Sequence, residues 1–301
     1  MLEATDKESC YLGQFIPVHY HHNMLMDKNR MQGFKAAIAQ AVLPGMTVLE
    51  LGGGTGVLSW FAAQQASKVY CVEFNPDLVA EARRLLARNR GGEKVELIEA
   101  DAFDYLPPER VDVVICEMIH VALVREKQVQ MMASFKARYL ARFGAPLPAF
   151  MPEAVVMAIQ PLQQDSDFEG FDAPIIQFQQ NQVIHADTLE LAAPAVYAIV
   201  DFNEPTLEQI VWQGTIAITT DGTVNAMRFI TKNILAVVAN EARTIDWLNN
   251  YMTVPLEPLA VRAGQVLAVR LAYKAGCSIP ALQAGLQLGL ASNACATSAA
   301  A

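Results

Sequence analysis

The sequence predicts an α/β fold in two parts: a doubly wound parallel sheet within residues 1–149, followed by an antiparallel, barrel-like domain in residues 150–301. Three observations lead to this prediction. The first half alternates short apolar runs with helical patterns, as βαβ units do. A glycine-rich turn stands between the first predicted strand and the helix after it. Beyond Pro146, β-branched runs recur without long helical patterns.

The first domain begins with a helical segment and continues through alternating strands and helices. Four short apolar runs predict strands: Val48–Leu51, Val69–Val72, Val95–Ile98 and Val111–Ile115. Two stretches with helical spacing predict connecting helices: Leu58–Ala66 and Leu78–Asn89. The spacing favours tight crossovers within a parallel sheet.

The second domain is predicted from β-branched runs that follow the prolines between residues 146 and 152. These runs are Ala154–Ile159, Ala195–Val200, Ile210–Ile218, Val224–Phe229 and Val266–Tyr273. They predict an antiparallel sheet or barrel. The Ala/Ser-rich end, Ala291–Ala301, is predicted to be a disordered tail.

Composition narrows the possible functions. The chain has 22 Lys and Arg against 31 Asp and Glu, a net charge of -9, which disfavours a nucleic-acid or anionic-membrane surface and favours a cationic substrate. The five cysteines contain no C-x-x-C pair, so neither a disulfide framework nor a metal site is predicted and a reducing cytoplasm fits best. Charged residues near the N-terminus argue against a signal peptide. Pro280 interrupts the uncharged C-terminal stretch and argues against a membrane span there.

The first candidate site is the run Glu50–Gly56, an acidic residue followed by alternating glycines. Such glycines let a ligand lie against bare backbone at a helix N-terminus. Val57 stands where the dinucleotide fingerprint requires glycine, and no G-x-x-x-x-G-K-[ST] occurs, so NAD and ATP are disfavoured. Glu73 and Asp101 follow at the ends of the next two strands, where their carboxylates can accept ribose hydroxyls and an adenine amino group.

Together these residues fit S-adenosylmethionine, which has a ribose, an adenine and a methionine carboxylate but no phosphates. Arg30 is the candidate partner for that carboxylate, because a guanidinium can form two parallel hydrogen bonds with it. A tight turn that binds no ligand is the alternative for the glycine run taken alone.

Further motifs lie on either side of the glycine run. Tyr11–Phe15 and Tyr20–Arg30 are similar to Tyr-Phe-x-x-Tyr and Ile-His-x-x-Met-Leu-x-Asp-x-x-Arg. Cys116–Glu126 is similar to Ser-Glu-x-Met-Gly-Tyr-x-Leu-x-x-Glu, with two glutamates nine residues apart. Pro152 matches a proline that opens a barrel. Over residues 11–275 the chain therefore resembles the protein arginine N-methyltransferases, which carry these motifs.

The resemblance implies a class I S-adenosylmethionine-dependent N-methyltransferase that acts on arginine guanidinium, with Glu117 and Glu126 as catalytic residues. It implies that the cofactor is held by His21, Met24, Arg30, Glu50, Gly52, Gly54, Gly56, Glu73 and Asp101. It also implies a homodimer, formed through a helical arm to which Asp165–Gln180 corresponds.

The residues themselves favour the same role for the glutamates. Glu117 ends a predicted parallel strand, at the edge where such sheets bind ligands, and Glu126 lies on the following turn. Two converging carboxylates can grip a guanidinium through bidentate bonds and direct one nitrogen at a sulfonium methyl group.

The sequence departs from the family around the acceptor pocket. The family's second tyrosine is Phe15, its glycine in the glutamate loop is His120, and its histidine in Thr-His-Trp is Asp246. Two alternatives therefore stay open: a small-molecule or RNA methyltransferase on the same scaffold, and a catalytically silent protein that binds the cofactor. The acceptor is expected to be an amine or guanidine of a protein or small molecule, and the acidic charge disfavours nucleic acid.

Overall fold

The computed structural model describes residues 18–205 and 207–291. The motif Tyr11–Phe15 and residues 292–301 of the predicted tail lie outside this range. Within the described part of the chain, no helix combines the length and the apolar character needed to cross a membrane.

The N-terminal domain is a parallel sheet with flanking helices, as the sequence predicts. Its helices are α1 (Val18–Met26), α2 (Lys28–Ala41), α3 (Val57–Ala63), α4 (Pro76–Ala87) and α5 (Gln128–Phe143). Its strands are β1 (Thr47–Leu51), β2 (Lys68–Glu73), β3 (Val95–Glu99), β4 (Val113–Cys116) and β5 (Ala149–Met151). The strands pair in parallel in the order β3-β2-β1-β4-β5. This arrangement confirms the predicted doubly wound parallel sheet, which has a Rossmann-like topology.

Strand β1 lies at the centre of the sheet, between β2 and β4. The chain runs outward from β1 to β2 and β3, and then crosses to β4 on the other side. A crevice opens at the carboxyl ends of β1 and β4, where the direction of winding reverses. Gly52 and Glu117, which follow these two strands, are therefore brought to the same edge of the sheet.

Local chemistry determines where the helices begin. Asp27 caps α2, because its side chain accepts a hydrogen bond from the Arg30 amide at 3.0 Å. Asn75 caps α4 in the same way, and Pro76 occupies the first turn. Gly56 precedes α3 with φ 78°, a conformation that residues with a side chain rarely adopt. Helix α3 therefore starts directly at the glycine-rich turn.

The C-terminal domain consists of antiparallel sheets, which confirms this part of the predicted fold class. Its strands are β6 (Ala154–Gln164), β7 (Asp167–Phe168), β8 (Phe171–Asp172), β9 (Gln177–Gln179), β10 (Thr188–Glu190), β11 (Ala195–Asp201), β12 (Gln209–Ala217), β13 (Gly222–Val238), β14 (Arg243–Leu248), β15 (Tyr251–Val261), β16 (Val266–Lys274) and β17 (Leu286–Leu290). One sheet is built around β6, β13 and β15, and a second joins β12, β16 and β17. Helix α6 (Ile279–Ala284) connects the last two strands.

Two details differ from the sequence-based expectation. Strand β5 belongs to the parallel sheet, so the predicted boundary between residues 149 and 150 falls inside this strand. The segment Asp165–Gln180 forms short strands rather than a helical arm. The segment does not form a helix because the chain turns at Glu169 and Gly170. Their φ values of 57° and 88° match a two-residue hairpin turn and exclude a helix.

Apolar side chains of the two domains pack into shared clusters. The smaller cluster brings Phe34 and Ile38 of α2 against Leu235 and Ala236 of β13. These four side chains are at most 2% exposed. Their burial stabilises the contact between the domains by roughly 25 cal/mol for each Å² of apolar surface removed from water.

Candidate active site

A cleft of about 1070 Å³ lies at the carboxyl edge of the parallel sheet. Its walls come from the turns after β1 to β4, from helices α1 to α5, and from two segments of the C-terminal domain, at Trp247 and Asn250 and at residues 274–277. Concave sites at this edge of a doubly wound sheet are the usual binding sites of the fold.

The glycine-rich turn forms one wall of the cleft. The amides of Gly52 and Gly53 both donate to the Val72 carbonyl, at 2.9 and 2.8 Å, and so hold the turn against β2. Gly52 and Gly54 have φ values of 75° and 53°, and a Cβ on Gly54 would lie 3.0 Å from Cε1 of His21. Both glycines line the cleft, so a ligand can approach their bare backbone.

Gly56 has a different role from these two glycines. It lies at the N-terminus of α3 and does not line the cleft. A Cβ at this position would come within 3.3 Å of the Leu86 side chain on α4. Its positive φ and this close packing account for the glycine without a ligand.

Glu73 joins the end of β2 to the glycine-rich turn. One carboxylate oxygen accepts from the Gly54 amide and the other accepts from the Asn75 amide, both at 2.8 Å. Glu73 lines the cleft. Because each carboxylate oxygen can accept two hydrogen bonds, acceptor positions remain for a ligand hydroxyl.

The sequence predicts that Glu50 contacts the cofactor, and in the structure its carboxylate accepts hydrogen bonds from Ser59. Its Oε2 accepts a hydrogen bond from the Ser59 amide at 2.8 Å and another from the Ser59 hydroxyl. Burial raises the pKa of Glu50 to about 7. The residue lines the cleft and also fixes the first turn of α3 behind the glycines.

Arg30 is bonded to Glu117. Its Nε donates to Oε2 of Glu117 at 3.1 Å, and a terminal nitrogen pairs with the same oxygen. The guanidinium lies 5.4 Å from the ring centre of Phe34 and 5.6 Å from that of Trp247. The other terminal nitrogen donates to the Met31 sulfur at 4.0 Å. Its second N–H group can donate to the predicted ligand carboxylate.

His21 and Met24, which are predicted to contact the cofactor, lie on α1 and line the cleft. Burial lowers the pKa of His21, against the attraction of the Glu73 charge. Nε2 of His21 is buried and has no partner among the described residues. Buried polar atoms in proteins normally have a partner, so this nitrogen marks a position where a ligand group can bind.

Asp101 lies beside the cleft, which is lined by its neighbours Ala102 and Phe103. Its Oδ1 accepts from the Phe103 amide at 2.8 Å. Asp101 thus shapes the turn after β3, and its predicted contact with adenine stays a prediction.

Glu117 and Glu126, the predicted catalytic pair, both line the cleft. Oε1 of Glu117 accepts from the Ile119 amide at 3.3 Å, while Oε2 is engaged by Arg30. Burial and the charge of Glu117 raise the pKa of Glu126 to about 8. Glu126 therefore holds its proton at neutral pH in this state.

Gln128 supports the backbone on both sides of Glu117. Its amide nitrogen donates to the Cys116 carbonyl at 2.7 Å, and its oxygen accepts from the Met118 amide at 2.9 Å. The side chain is buried. A glutamine two residues after the paired-glutamate motif carries no sequence signal for this role, so sequence reasoning missed it.

Two other parts of the cleft were also missed. Phe74 follows Glu73 and lines the cleft although it is 45% exposed, and its place at a strand end could have identified it. The segment Lys274–Cys277 lines the same cleft as Glu126, and its Cys277 carbonyl accepts a hydrogen bond from the Arg125 amide at 2.7 Å. Since about 150 residues separate these segments, no local spacing could have indicated their contact.

Two of the three departures from the family pattern, His120 and Asp246, lie within the described residues, and neither lines the cleft. The His120 ring packs edge-on against Phe178, 5.5 Å between centroids, and burial lowers its pKa to about 4. Asp246 pairs with Lys232 at 3.0 Å. Trp247 does line the cleft, and its Nε1 donates to Oδ2 of Asp27 at 3.0 Å. Phe15 lies outside the described residues.

Comparisons with known proteins point to one class of enzyme. Residues 48–142 match a family described as "Methyltransferase domain". An uncharacterized protein of Methanocaldococcus jannaschii is 32% identical over 185 residues, 62% of this chain and 66% of that protein. Protein arginine N-methyltransferase PRMT10 of Arabidopsis thaliana is 34% identical over 151 residues, 48% of this chain and 39% of the relative. The matched region thus spans well under half of the plant enzyme.

The fold also has a close counterpart among solved structures. A chain of the Trypanosoma brucei PRMT1 enzyme-prozyme heterotetrameric complex with AdoHcy superposes with a TM-score of 0.71 and 18% sequence identity. The match covers 91% of this chain and 94% of that chain. The similarity therefore extends over both domains.

Proposed function

This chain is a class I methyltransferase that resembles the protein arginine N-methyltransferases, and from that premise we propose that it transfers a methyl group to arginine guanidinium in proteins. The observation that carries the proposal is that Glu117 and Glu126 share one cleft with Gly52, Gly54 and Glu73. A donor site and a cation-binding pair of carboxylates are thereby adjacent.

The cleft suits S-adenosylmethionine as the cofactor. The positive-φ glycines offer bare backbone, Glu73 has free acceptor positions, and the buried Nε2 of His21 lacks a partner among described residues. Phe74 offers an exposed ring beside Glu73 on which an adenine can stack. When bound, S-adenosylmethionine supplies an electrophilic methyl group on a positively charged sulfur.

The glutamate pair binds and orients the acceptor. Glu117 follows β4, and its oxygens keep acceptor positions beside the bonds from Ile119 and Arg30. Glu126 adds a carboxyl group from the loop after it. Arrival of a guanidinium would favour the ionised form of Glu126, whose pKa is raised to about 8 in its absence. The two carboxylates can then hold the cation by bidentate hydrogen bonds.

The same pair handles the proton of the reaction. With the cofactor bound, the lone pair of the acceptor nitrogen would form the bond to the methyl carbon, and the electrons of the broken carbon–sulfur bond would stay on sulfur. The nitrogen then carries one proton too many, which passes to Glu126 and on to solvent. Because the bound guanidinium favours the ionised form of Glu126, this carboxylate can accept the proton and then release it to solvent.

The cellular context belongs to the same proposal. Cys71 and Cys116 are buried free thiols, which is typical of a reducing cytoplasm.

Phe171 and Ile175, in the segment that corresponds to the family's arm, are 71% and 64% exposed, which favours a second copy of the chain as their partner. A homodimer and a barrel-like closure of the C-terminal sheets follow from the family resemblance.

The test is transfer of label from methyl-labelled S-adenosylmethionine into host extract, separated into protein, RNA and small molecules. We expect label in protein, recovered as methylarginine, with at least about a hundredfold loss in Glu117→Gln. The matched control is Glu96→Gln, a surface glutamate paired with Lys68. Label only in RNA or small molecules would exclude the arginine substrate, and cofactor binding without transfer would favour a silent binding protein.

A further inference from the structure

The loop between the two glutamates has an unusual backbone. Ala122, Leu123 and Arg125 have φ values of 59°, 53° and 64°. Residues with a side chain seldom adopt this left-handed conformation, because Cβ approaches the following carbonyl oxygen. Three such residues in four positions persist only if the surrounding structure holds them.

Side chains of the C-terminal domain hold the first of these residues. The Ala122 amide donates to the hydroxyl of Thr231 at 2.8 Å, and the Ala122 carbonyl accepts from the hydroxyl of Tyr273 at 2.8 Å. All three residues are buried, with Thr231 and Ala122 at 0% exposure. Both polar groups of the Ala122 backbone therefore depend on strands β13 and β16.

Backbone contacts hold the remaining part of the loop. The Gly276 amide donates to the Leu123 carbonyl, and the Arg125 amide donates to the Cys277 carbonyl, both at 2.7 Å. Gly276 and Cys277 lie just after the end of β16, three and four residues beyond Tyr273. One stretch of the C-terminal domain thus supports the loop up to the residue before Glu126.

A second tyrosine sets the direction of the Tyr273 hydroxyl. The hydroxyls of Tyr197 and Tyr273 lie 2.9 Å apart. Because the single Tyr273 hydrogen is donated to Ala122, Tyr197 must donate to the Tyr273 oxygen. Burial raises the pKa of both tyrosines, so both hydroxyls keep their protons in this chain of hydrogen bonds.

We propose that Tyr273 is a positioning residue for the paired glutamates: its hydroxyl fixes the Ala122 carbonyl and thereby keeps Glu126 directed at the acceptor beside Glu117. Tyr197 orients that hydroxyl, and Thr231 fixes the Ala122 amide. The catalytic part of this inference rests on the proposed function, because it assigns the acceptor to Glu117 and Glu126.

The experiment compares Tyr273→Phe with Tyr139→Phe in the full chain. Tyr139 is an equally buried tyrosine whose hydroxyl accepts from the Val111 amide at 3.1 Å, before the start of β4 and away from the cleft. Thr231→Val and Thr231→Ser form a second pair, in which only the serine keeps the hydroxyl. The measurements are hydrogen exchange of the amides of residues 120–126, cofactor Kd by calorimetry, and kcat and KM for an arginine peptide.

In Tyr273→Phe we expect faster exchange in the loop, a kcat about tenfold lower and a cofactor Kd within about twofold of the unmodified protein. Tyr197→Phe should lower kcat less, by about threefold, because it acts through Tyr273. Thr231→Val should behave like Tyr273→Phe, Thr231→Ser should retain activity, and Tyr139→Phe should change neither exchange nor kcat.

Unchanged loop exchange or unchanged kcat in Tyr273→Phe would overturn the inference, and so would an equal loss in Tyr139→Phe. Failure of the proposed function is distinguished by the unmodified protein, which would then bind the cofactor and methylate no arginine peptide. In that case loop exchange alone decides whether Tyr273 holds the loop, since this readout needs no substrate.

Discussion

Arg30 and Glu117 form an ion pair that connects the two halves of the cleft. Arg30 is the residue proposed for the cofactor carboxylate, and Glu117 belongs to the pair proposed for the acceptor. Their side chains are 8% and 10% exposed, so neither charge is well hydrated. Removing one partner would leave the other as a poorly compensated buried charge, which is costly.

Arg30→Lys is expected to weaken cofactor binding by at least about tenfold, because an ammonium cannot bond to a carboxylate in the forked manner of a guanidinium. Calorimetric titration with S-adenosylhomocysteine measures the effect. Arg84→Lys is the matched control, since Arg84 also pairs with a carboxylate, that of Glu81, but is 53% exposed on α4. An unchanged Kd in Arg30→Lys would remove Arg30 from the cofactor site.

Gly54→Ala is expected to raise the cofactor Kd by about tenfold, because the new Cβ stands where the ligand and His21 approach the backbone. Gly45→Ala serves as the control. Gly45 also has a positive φ, 92°, but a Cβ added there would meet no atom of the described residues within 4 Å. Both changes should cost about 1 kcal/mol of stability, measured by urea unfolding, and only Gly54→Ala should alter binding. Equal Kd values for the two variants would contradict this assignment.

The free energy of unfolding is expected to fall as the pH rises through neutrality. Burial raises the pKa of Glu50 to about 7 and that of Glu126 to about 8, from ordinary values of 4.5. The folded chain then binds more protons than the unfolded chain, so this contribution is present below pH 4.5 and is lost as the pH rises through 7 and 8. Urea unfolding from about pH 5 to pH 9 measures the slope.

Glu126→Gln should flatten the upper part of this pH dependence, because glutamine does not titrate. The control is Glu81→Gln at a partly exposed site outside the cleft, where a hydrogen bond from Arg84 lowers the carboxyl pKa instead. An equally steep decline in Glu126→Gln would show that another group causes it.

Trp247→Phe is expected to destabilise the fold by about 2 kcal/mol. The change removes a hydrogen bond to the Asp27 carboxylate and replaces the indole beside the Arg30 guanidinium by a smaller ring. Chemical unfolding provides the measurement. Trp60→Phe loses a comparable indole bond, to the Arg90 carbonyl near the surface, and should cost less than about 1 kcal/mol. Similar losses in both variants would mean that the contact with Asp27 adds nothing.

The parallel sheet could be predicted closely from sequence because its information is local. The predicted strand Val69–Val72 lies within β2, and the predicted helix Leu78–Asn89 overlaps α4, which is Pro76–Ala87. The apolar runs that predict strands and the glycines that predict turns lie within a few residues of one another in the sequence. The same reason explains why Gly52, Gly54 and Glu73 could be identified as cleft residues.

Contacts between distant parts of the chain could not be predicted in this way. The ion pair between Arg30 and Glu117, the bond from Trp247 to Asp27 and the support of Ala122 by Tyr273 all depend on how the domains pack. Glu50 illustrates the limit, since its spacing marks it as a site residue and only the fold reveals its bonds to Ser59.

The apolar cluster that joins α2 to β13 has a consequence for protein engineering. Phe34 and Ile38 are sealed by Leu235 and Ala236, so a fragment cut between residues 149 and 150 would expose an apolar strip on each piece. Such surfaces promote aggregation. A chimera with a homologue therefore needs α2 and β13 from the same parent, and the unit of exchange is that pair of elements.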